Sequence, residues 1–173
     1  MTRIINFFVS LLIDQGSSSF WAELLSRILI FFILFVLSSL IYWISKKVII
    51  SLLYKISENT KTHFDDLLIK NKAAKRLSYL FPILFLYQFL PEIFSTNQTV
   101  YALLKNVLEA LSIVILINLI RALLKTISTY IKIFPSFKDK PIDSYIQVVM
   151  IFLWFIGGIL ILSVLTGKDI GTF

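Results

Sequence analysis

Cysteine is missing from this sequence of 173 residues, and histidine occurs only once. Without cysteine the chain has no disulfide, no thiolate nucleophile and no cysteine-ligated metal, and its redox compartment stays open. The one histidine, His63, lies beside basic residues, whereas a metal site needs several ligands that converge. A surface histidine is therefore the better interpretation, and we expect neither a metal nor a cofactor.

The motifs of common enzymes are also missing. The sequence contains neither GxGxxG nor GxxxxGK, the glycine-rich loops that bind phosphate groups. Asp65 and Asp66 are adjacent, but neighbours on a helix point about 100° apart and no third ligand accompanies them. Favourable negative charge at a helix N-terminus explains the pair better than catalysis. A membrane enzyme would lack its acid, base and metal groups here, so we expect no enzymatic activity.

Charge of either sign is scarce. Charged residues make up 16% of the chain and hydrophobic residues 58%, with a mean hydropathy of +0.88. An ordinary soluble domain carries about 25% charged residues. Most of this chain is therefore expected to face lipid or other helices.

The segment from Ile142 to Thr166 is the clearest membrane span. No side chain is charged over the 24 residues from 144 to 167. At about 1.5 Å per residue a helix of that length covers roughly 36 Å, which is enough to cross a hydrocarbon core of about 30 Å. Strand-like alternation is absent, and lipid demands that backbone groups pair internally, so a helix is predicted.

The same reasoning extends to the whole chain and predicts an all-α membrane protein, a four-span helix bundle with an amphipathic N-terminal helix. The expected domains are an interfacial segment at 1–19, a transmembrane paddle at 20–167 and a terminal turn at 168–173. The spans are predicted at about 20–45, 77–94, 100–124 and 142–166. A net charge of +7 must then be understood from where the cations lie along the chain.

Several segments allow more than one interpretation. Residues 1–19 resemble a signal peptide, but the basic region and cleavage site are weak, so a short interfacial helix ended by Asp14 and Gly16 is favoured. The second span contains Pro82, which is expected to kink it, and it is short enough to be a re-entrant segment unless it extends through Phe94. Residues 91–99 are predicted to be a polar turn.

The segments between the spans are predicted to be partly helical. The first span should continue past Lys46 and Lys47 as an amphipathic helix along the inner surface. A new helix should begin near Thr62, which has capping spacing to Asp65, and run to residue 77. Residues 126–140 are expected to be a cationic linker, delimited by proline.

A few polar residues fall within the spans. Glu23 and Arg27 are four apart, so they can form a structural ion pair near a span end, and Lys105 and Glu109 have the same spacing near the start of the third span. Asn118 could form a hydrogen bond across helices or to lipid headgroups, and we favour the structural bond, because such bonds contribute modestly.

The cations are concentrated in two loops. Residues 46–76 carry eight Lys and Arg, and residues 121–140 carry five. Because cations are retained on the cytoplasmic side, both loops are expected inside and both termini outside. The positive charge then faces anionic lipid, which makes nucleic acid an unnecessary partner. The candidate lipid-headgroup contacts are Lys46, Lys47, Arg76, Arg121 and Lys125.

The last part of the chain carries a family resemblance. The segment KPIDSYIQVVMIFLWFIGGILILSVLTGKDIGTF has Pro141, the pair Gly157-Gly158 and the sequence SVLTGK from residue 163. It resembles the span and extracytoplasmic turn that precede the pore helix in the small-conductance mechanosensitive channel (MscS) family. It is most similar to the multi-span, miniconductance-type bacterial branch, which NKAAKRLSYL at 71–80 also resembles.

The resemblance implies a channel of the bacterial inner membrane that releases ions and small osmolytes on hypoosmotic shock. It implies a homo-oligomer, a heptamer in that family, and a tension-sensing role for the outer helices. The family's pore helix and cytoplasmic vestibule would follow the turn at 168–173, so we expect this chain to be the membrane paddle of such a channel. Gly157 and Gly158 are candidates for helix packing or for a gating hinge, and packing is favoured.

A second hypothesis requires no pore. The chain could be a stand-alone accessory or scaffold membrane protein that binds lipid or a partner through its basic loops. A pore helix rich in small residues directly downstream would favour the channel, and a genuine stop would favour the accessory protein.

Overall fold

The computed structural model describes residues 2–16, 18–59, 64–94 and 97–168, which are almost entirely helical. The helices are α1 (Thr2–Asp14), α2 (Ser19–Asn59), α3 (Phe64–Lys70), α4 (Ala73–Ser78), α5 (Leu80–Phe94), α6 (Gln98–Ile131) and α7 (Ile142–Thr166), with a 3-10 turn at Pro135–Phe137. No strand occurs in these ranges. The predicted all-α class is confirmed.

Four helical segments are long and apolar enough to cross a membrane. They are Ser19–Ile56, Ala73–Phe94, Gln98–Ile131 and Ile142–Thr166. Only 11% to 28% of the most apolar 18 residues of each segment are buried. A soluble monomer rarely exposes contiguous apolar surface on this scale, so lipid is the natural environment of these helices. The chain is a multi-pass membrane protein.

Neighbouring spans run antiparallel. Ser38 of α2 donates to the carbonyl of Pro82 in α5. Arg27, which precedes Ser38 in α2, donates to the carbonyl of Ile93, which follows Pro82 in α5. Along α6 and α7, Ser128 bonds Asp143 while Gly157 lies against Ile117. The spans therefore alternate in direction, and the two basic loops lie at one end of the bundle.

The apolar core lies between α2, α5 and the start of α6. Leu90 and Ile93 are each 1% exposed there and are the largest fully buried side chains in the described ranges. The remaining core side chains come from four helices: Ile5, Ile30, Leu34, Leu86, Phe94 and Leu108. Ile5 shows that α1 packs against the bundle; its expected position in the headgroup region stays a prediction. Gly16, with φ +87°, follows α1 as its predicted terminator.

The end of the second span follows from packing. The helix α5 continues past Pro91 to Phe94, so the polar turn predicted at 91–99 is wrong for its first residues. The ring of Phe94 stacks edge-on against Phe31 at 5.8 Å, and both Ile93 and Phe94 are buried. Burial of these side chains outweighs the helix-breaking tendency of Pro91, and the extension gives the segment a span's length. The helix is interrupted at Tyr79, three residues before Pro82.

The segments between the spans differ from the prediction in two places. The linker expected at 126–140 begins only after Ile131, because Thr126 and Ser128 are buried against neighbouring helices and Tyr130 stacks on Phe64 at 5.4 Å. The helix expected from Thr62 to residue 77 is broken at Asn71 and Lys72 into α3 and α4. Thr62 and His63 lie outside the described residues.

The first span is part of a much longer helix. Residues 46–59 continue α2 without a break, as predicted, and give it 41 residues. At about 1.5 Å per residue this is roughly 60 Å, twice the thickness of a hydrocarbon core. The part beyond Lys47 therefore extends outside the apolar layer, and its expected course along the inner surface stays a prediction.

Candidate functional site

The contact between α6 and α7 is unusually close at one point. A Cβ atom built on Gly157 would overlap Cδ1 of Ile117, whereas nothing lies within 4 Å of a Cβ built on Gly158. The two glycines therefore have different surroundings: Gly157 lies in the contact with α6, and Gly158 lies on a side of α7 where none of the other described helices is in contact. Small residues allow helix backbones to approach in a membrane, where packing replaces the hydrophobic effect.

A polar contact holds the other end of the same two helices. Asp143, near the start of α7, accepts from Ser128 Oγ at 2.7 Å and from Lys132 Nζ at 2.5 Å. Ser128 is buried, while the side chain of Asp143 is 67% exposed. The three groups tie α7 to the last turns of α6, across the linker that joins them. Together with Gly157 they make α6 and α7 one hairpin.

The rest of α7 faces outward. Tyr145, Ile151 and Phe155 are each 69% exposed, and α6 is the helix on which α7 packs. An apolar face of this kind is suited to contact with lipid or with apolar helices of another subunit. In the described residues, the hairpin is therefore joined to α3, α4 and α5 through α6.

The predicted ion pair of Glu23 and Arg27 is present, and so is a pair between Lys105 and Glu109. Arg27 Nη2 lies 2.5 Å from Glu23 Oε1, and its other terminal nitrogen donates to the carbonyl of Ile93 in the last turn of α5. Lys105 lies 3.7 Å from Glu109, which also accepts from the hydroxyl of Tyr87 at 3.0 Å. Each pair thus joins two spans. The side chain of Asn118 donates to the carbonyl of Val114 at 2.9 Å in its own helix, a structural role.

The candidate headgroup contacts fall into two groups. Arg76, Arg121 and Lys125 line one cavity of about 290 Å³, between the α3–α4 turn and α6. Lys46 and Lys47 lie elsewhere, along the surface of α2, where Lys47 Nζ is 5.6 Å from the ring of Trp43. The charges counted together in the sequence therefore do not form one site.

The cavity also contains residues that the sequence did not single out. Lys70, Asn71 and Lys72 complete its lining. Lys72 adopts φ 63°, which is uncommon for a residue other than glycine, and this left-handed backbone separates α3 from α4. The amide of Asn71 donates to Thr126 Oγ1 at 3.2 Å and fastens the turn to α6. No sequence pattern predicts this conformation for Lys72. The sequence indicated Lys72 only as one of the eight cations counted at 46–76.

Comparisons with protein-family models, curated proteins and solved structures give no match for this chain. Its function must therefore be argued from its own residues. In the described ranges, no group of three His, Asp or Glu side chains lies together to hold a metal ion. The chemically distinctive features are the hairpin of α6 and α7, the outward apolar faces and the cationic cavity.

Proposed function

We propose that this chain is the tension-sensing membrane region of a mechanosensitive ion channel that releases ions and small osmolytes on hypoosmotic shock. One observation carries the proposal: in a hairpin of two span-length helices, α6 and α7, the described part of α7 packs on α6, and α6 joins the hairpin to α3, α4 and α5. Of the most apolar 18 residues in each of these two helices, only 11% are buried. Most of the surface of these two helices is thus open to contact with lipid or with another subunit.

This arrangement suits a response to tension for a physical reason. Tension favours whichever conformation occupies more area in the bilayer, and a ligand or a force shifts an equilibrium only through such a difference between states. Because α7 packs on α6, it can tilt together with α6 without breaking the core between α2 and α5. The tight contact at Gly157 and the polar contact at Asp143 let α6 and α7 move as a unit, so that displacement is passed to whatever follows α7.

The resemblance of residues 141–173 to the MscS family supports the same function. In that family the span equivalent to α7 precedes the pore helix, so tilting of the hairpin would be passed to the pore. We extend the proposal to a homo-oligomer in the bacterial inner membrane, a heptamer by the same resemblance. Membrane lipids are the immediate partners.

The orientation proposed is with the cationic end inside, because Lys and Arg are retained on the cytoplasmic side. These 173 residues contain no cysteine, so a thiol introduced among them is the only one within this region. Ser136→Cys, in the linker between α6 and α7, should resist a membrane-impermeant maleimide in intact cells. Ser18→Cys, before α2, should react. The opposite pattern would refute the orientation.

The function itself is tested by recording from membrane patches. Patches from cells that carry the gene should pass a current that rises with applied suction, and patches from a strain without the gene should lack that current. The mass of the endogenous protein, detected with an antibody against residues 46–76, should be well above 20.0 kDa if a pore follows. Equal currents in both strains, with a product of 20.0 kDa, would favour the stand-alone accessory protein instead.

A further inference from the structure

The cavity between the α3–α4 turn and α6, which we call the cationic cleft, has an unusual balance of charge. Its lining is Lys70, Asn71, Lys72, Arg76, Arg121, Ala122 and Lys125. Five of these seven residues are cations and none is an acid. Residues of the α3–α4 segment and of α6, separated by more than 40 positions in the sequence, converge here. Like charges at close range repel, so the cleft needs a compensating anion.

The described residues do not provide that anion. Among the residues that the structure describes, Lys70, Lys72, Arg121 and Lys125 form no ion pair and no side-chain hydrogen bond with their neighbours. The carboxylate of Asp143 interacts electrostatically with Lys125, but it already accepts hydrogen bonds from Lys132 and Ser128. The four side chains are exposed and therefore accessible to a ligand from outside.

The cleft is also built rather than being a loose collection of surface lysines. Arg76 is half-buried and donates one of its N–H groups to the carbonyl of Asn118, which fixes its guanidinium against α6 and leaves further donors. Asn71 is fastened to the fully buried Thr126. Arg121 and Lys125 are four apart on α6 and so share one face.

From these contacts we infer that the cationic cleft binds a phosphate group, and that an anionic phospholipid headgroup supplies it. Guanidinium and ammonium groups that converge around an open cavity match the geometry and charge of phosphate oxygens. The cleft lies at the end of two membrane spans, where headgroups are present. A bound phosphate neutralises the repulsion between α4 and α6 and links the hairpin to the rest of the bundle. The inference needs the membrane-spanning bundle and does not rest on the channel proposal.

The test measures lipid binding to the full chain in a neutral detergent. Dioleoyl-phosphatidylglycerol is titrated, and the first bound lipid is counted by native mass spectrometry; dioleoyl-phosphatidylcholine and inorganic phosphate are titrated in parallel. The variant is Arg121→Gln with Lys125→Gln. The matched control is Lys138→Gln with Lys140→Gln, which removes the same charge from exposed positions of the same basic segment, outside the cleft.

We expect the cleft variant to bind the first phosphatidylglycerol roughly 30-fold more weakly, from about fivefold for each cation lost. The control should change the affinity by less than about threefold. A charge-conserving exchange, Arg121→Lys with Lys125→Arg, should stay close to the natural chain. Thermal melting by circular dichroism should not fall in any variant, because the substituted side chains are exposed and the cleft variant removes like-charge repulsion.

Two results would overturn the inference. Equal losses in the cleft variant and the control would mean diffuse attraction with no specific site. Equal binding of phosphatidylcholine and phosphatidylglycerol would mean that charge does not select the ligand. Saturable competition by inorganic phosphate would retain the phosphate site but assign it to free phosphate, and a lack of such competition is the result expected for a lipid.

Discussion

The contact of Gly157 with Ile117 gives the sharpest prediction about the hairpin. In Gly157→Ala the new methyl group would overlap Cδ1 of Ile117. Ile117 is only 5% exposed, and Cδ1 is the end of its side chain, so rotation of that end relieves part of the overlap and the neighbours must accommodate the rest. Overpacking of this kind costs about 1–3 kcal/mol. Alanine also gains about 0.5–1 kcal/mol over glycine in a helix.

Gly158, the neighbouring glycine, provides a control for the gain in helix propensity that alanine brings. Gly158→Ala introduces the same methyl group into the same helix, but nothing lies within 4 Å of it. The free energy of unfolding of Gly157→Ala should therefore be about 1–3 kcal/mol lower than that of Gly158→Ala. Reversible unfolding in mixed micelles, followed by circular dichroism as a denaturing detergent is added, measures both.

A double substitution tests the cause. Ile117→Val deletes the methyl group that clashes and by itself should cost about 0.5–1.5 kcal/mol. Combined with Gly157→Ala, it exchanges a methyl group across the contact, so the pair should be more stable than the sum of the single effects by about 1–3 kcal/mol. Equal stability of the two alanine variants, or simple additivity with Ile117→Val, would refute the close approach.

Two further predictions concern the polar contacts between helices. Arg27→Gln should lower the free energy of unfolding by about 1.5–3 kcal/mol, because Arg27 donates to both Glu23 and the end of α5, whereas the exposed pair broken by Lys105→Gln should cost at most about 1 kcal/mol; equal costs would contradict the account. Asp143→Asn should speed hydrogen exchange in the linker at 132–141, because one contact between α6 and α7 is weakened, and Asp139→Asn should not. The effect of Asp143→Asn should shrink in high salt, and an effect independent of salt would argue against the ion pair.

The sequence predicts best where lipid imposes the rule. The bounds of α7 are those predicted, because Pro141 and Asp143 mark its start and the charge-free run ends near Gly167, which adopts φ 67° and closes the helix. The four spans follow from apolar length alone, because backbone groups in lipid must be paired within a helix. The ion pairs at four-residue spacing follow from the geometry of one helix turn.

The boundaries that depend on packing were not predictable in this way. The cationic composition after Thr126 indicated a linker, but the burial of Ser128 and its bond to Asp143 depend on how α7 folds back. The break at Lys72 and the convergence of Arg76 with Arg121 depend on the docking of α3 and α4 against α6. Hydropathy cannot distinguish Gly157 from Gly158, because their difference lies in which face of α7 meets Ile117.

The central claim is that the hairpin of α6 and α7 shifts against α2 when membrane tension rises. Exposed serines replaced by cysteine, Ser39 on α2 and Ser144 on α7, can carry a pair of spin labels for distance measurement in liposomes. Raising tension by an osmotic downshift should change the distance distribution between the labels, and restoring isotonic conditions should reverse the change. The same distribution with and without tension would contradict the account and leave the protein without a tension-sensing element in its described helices.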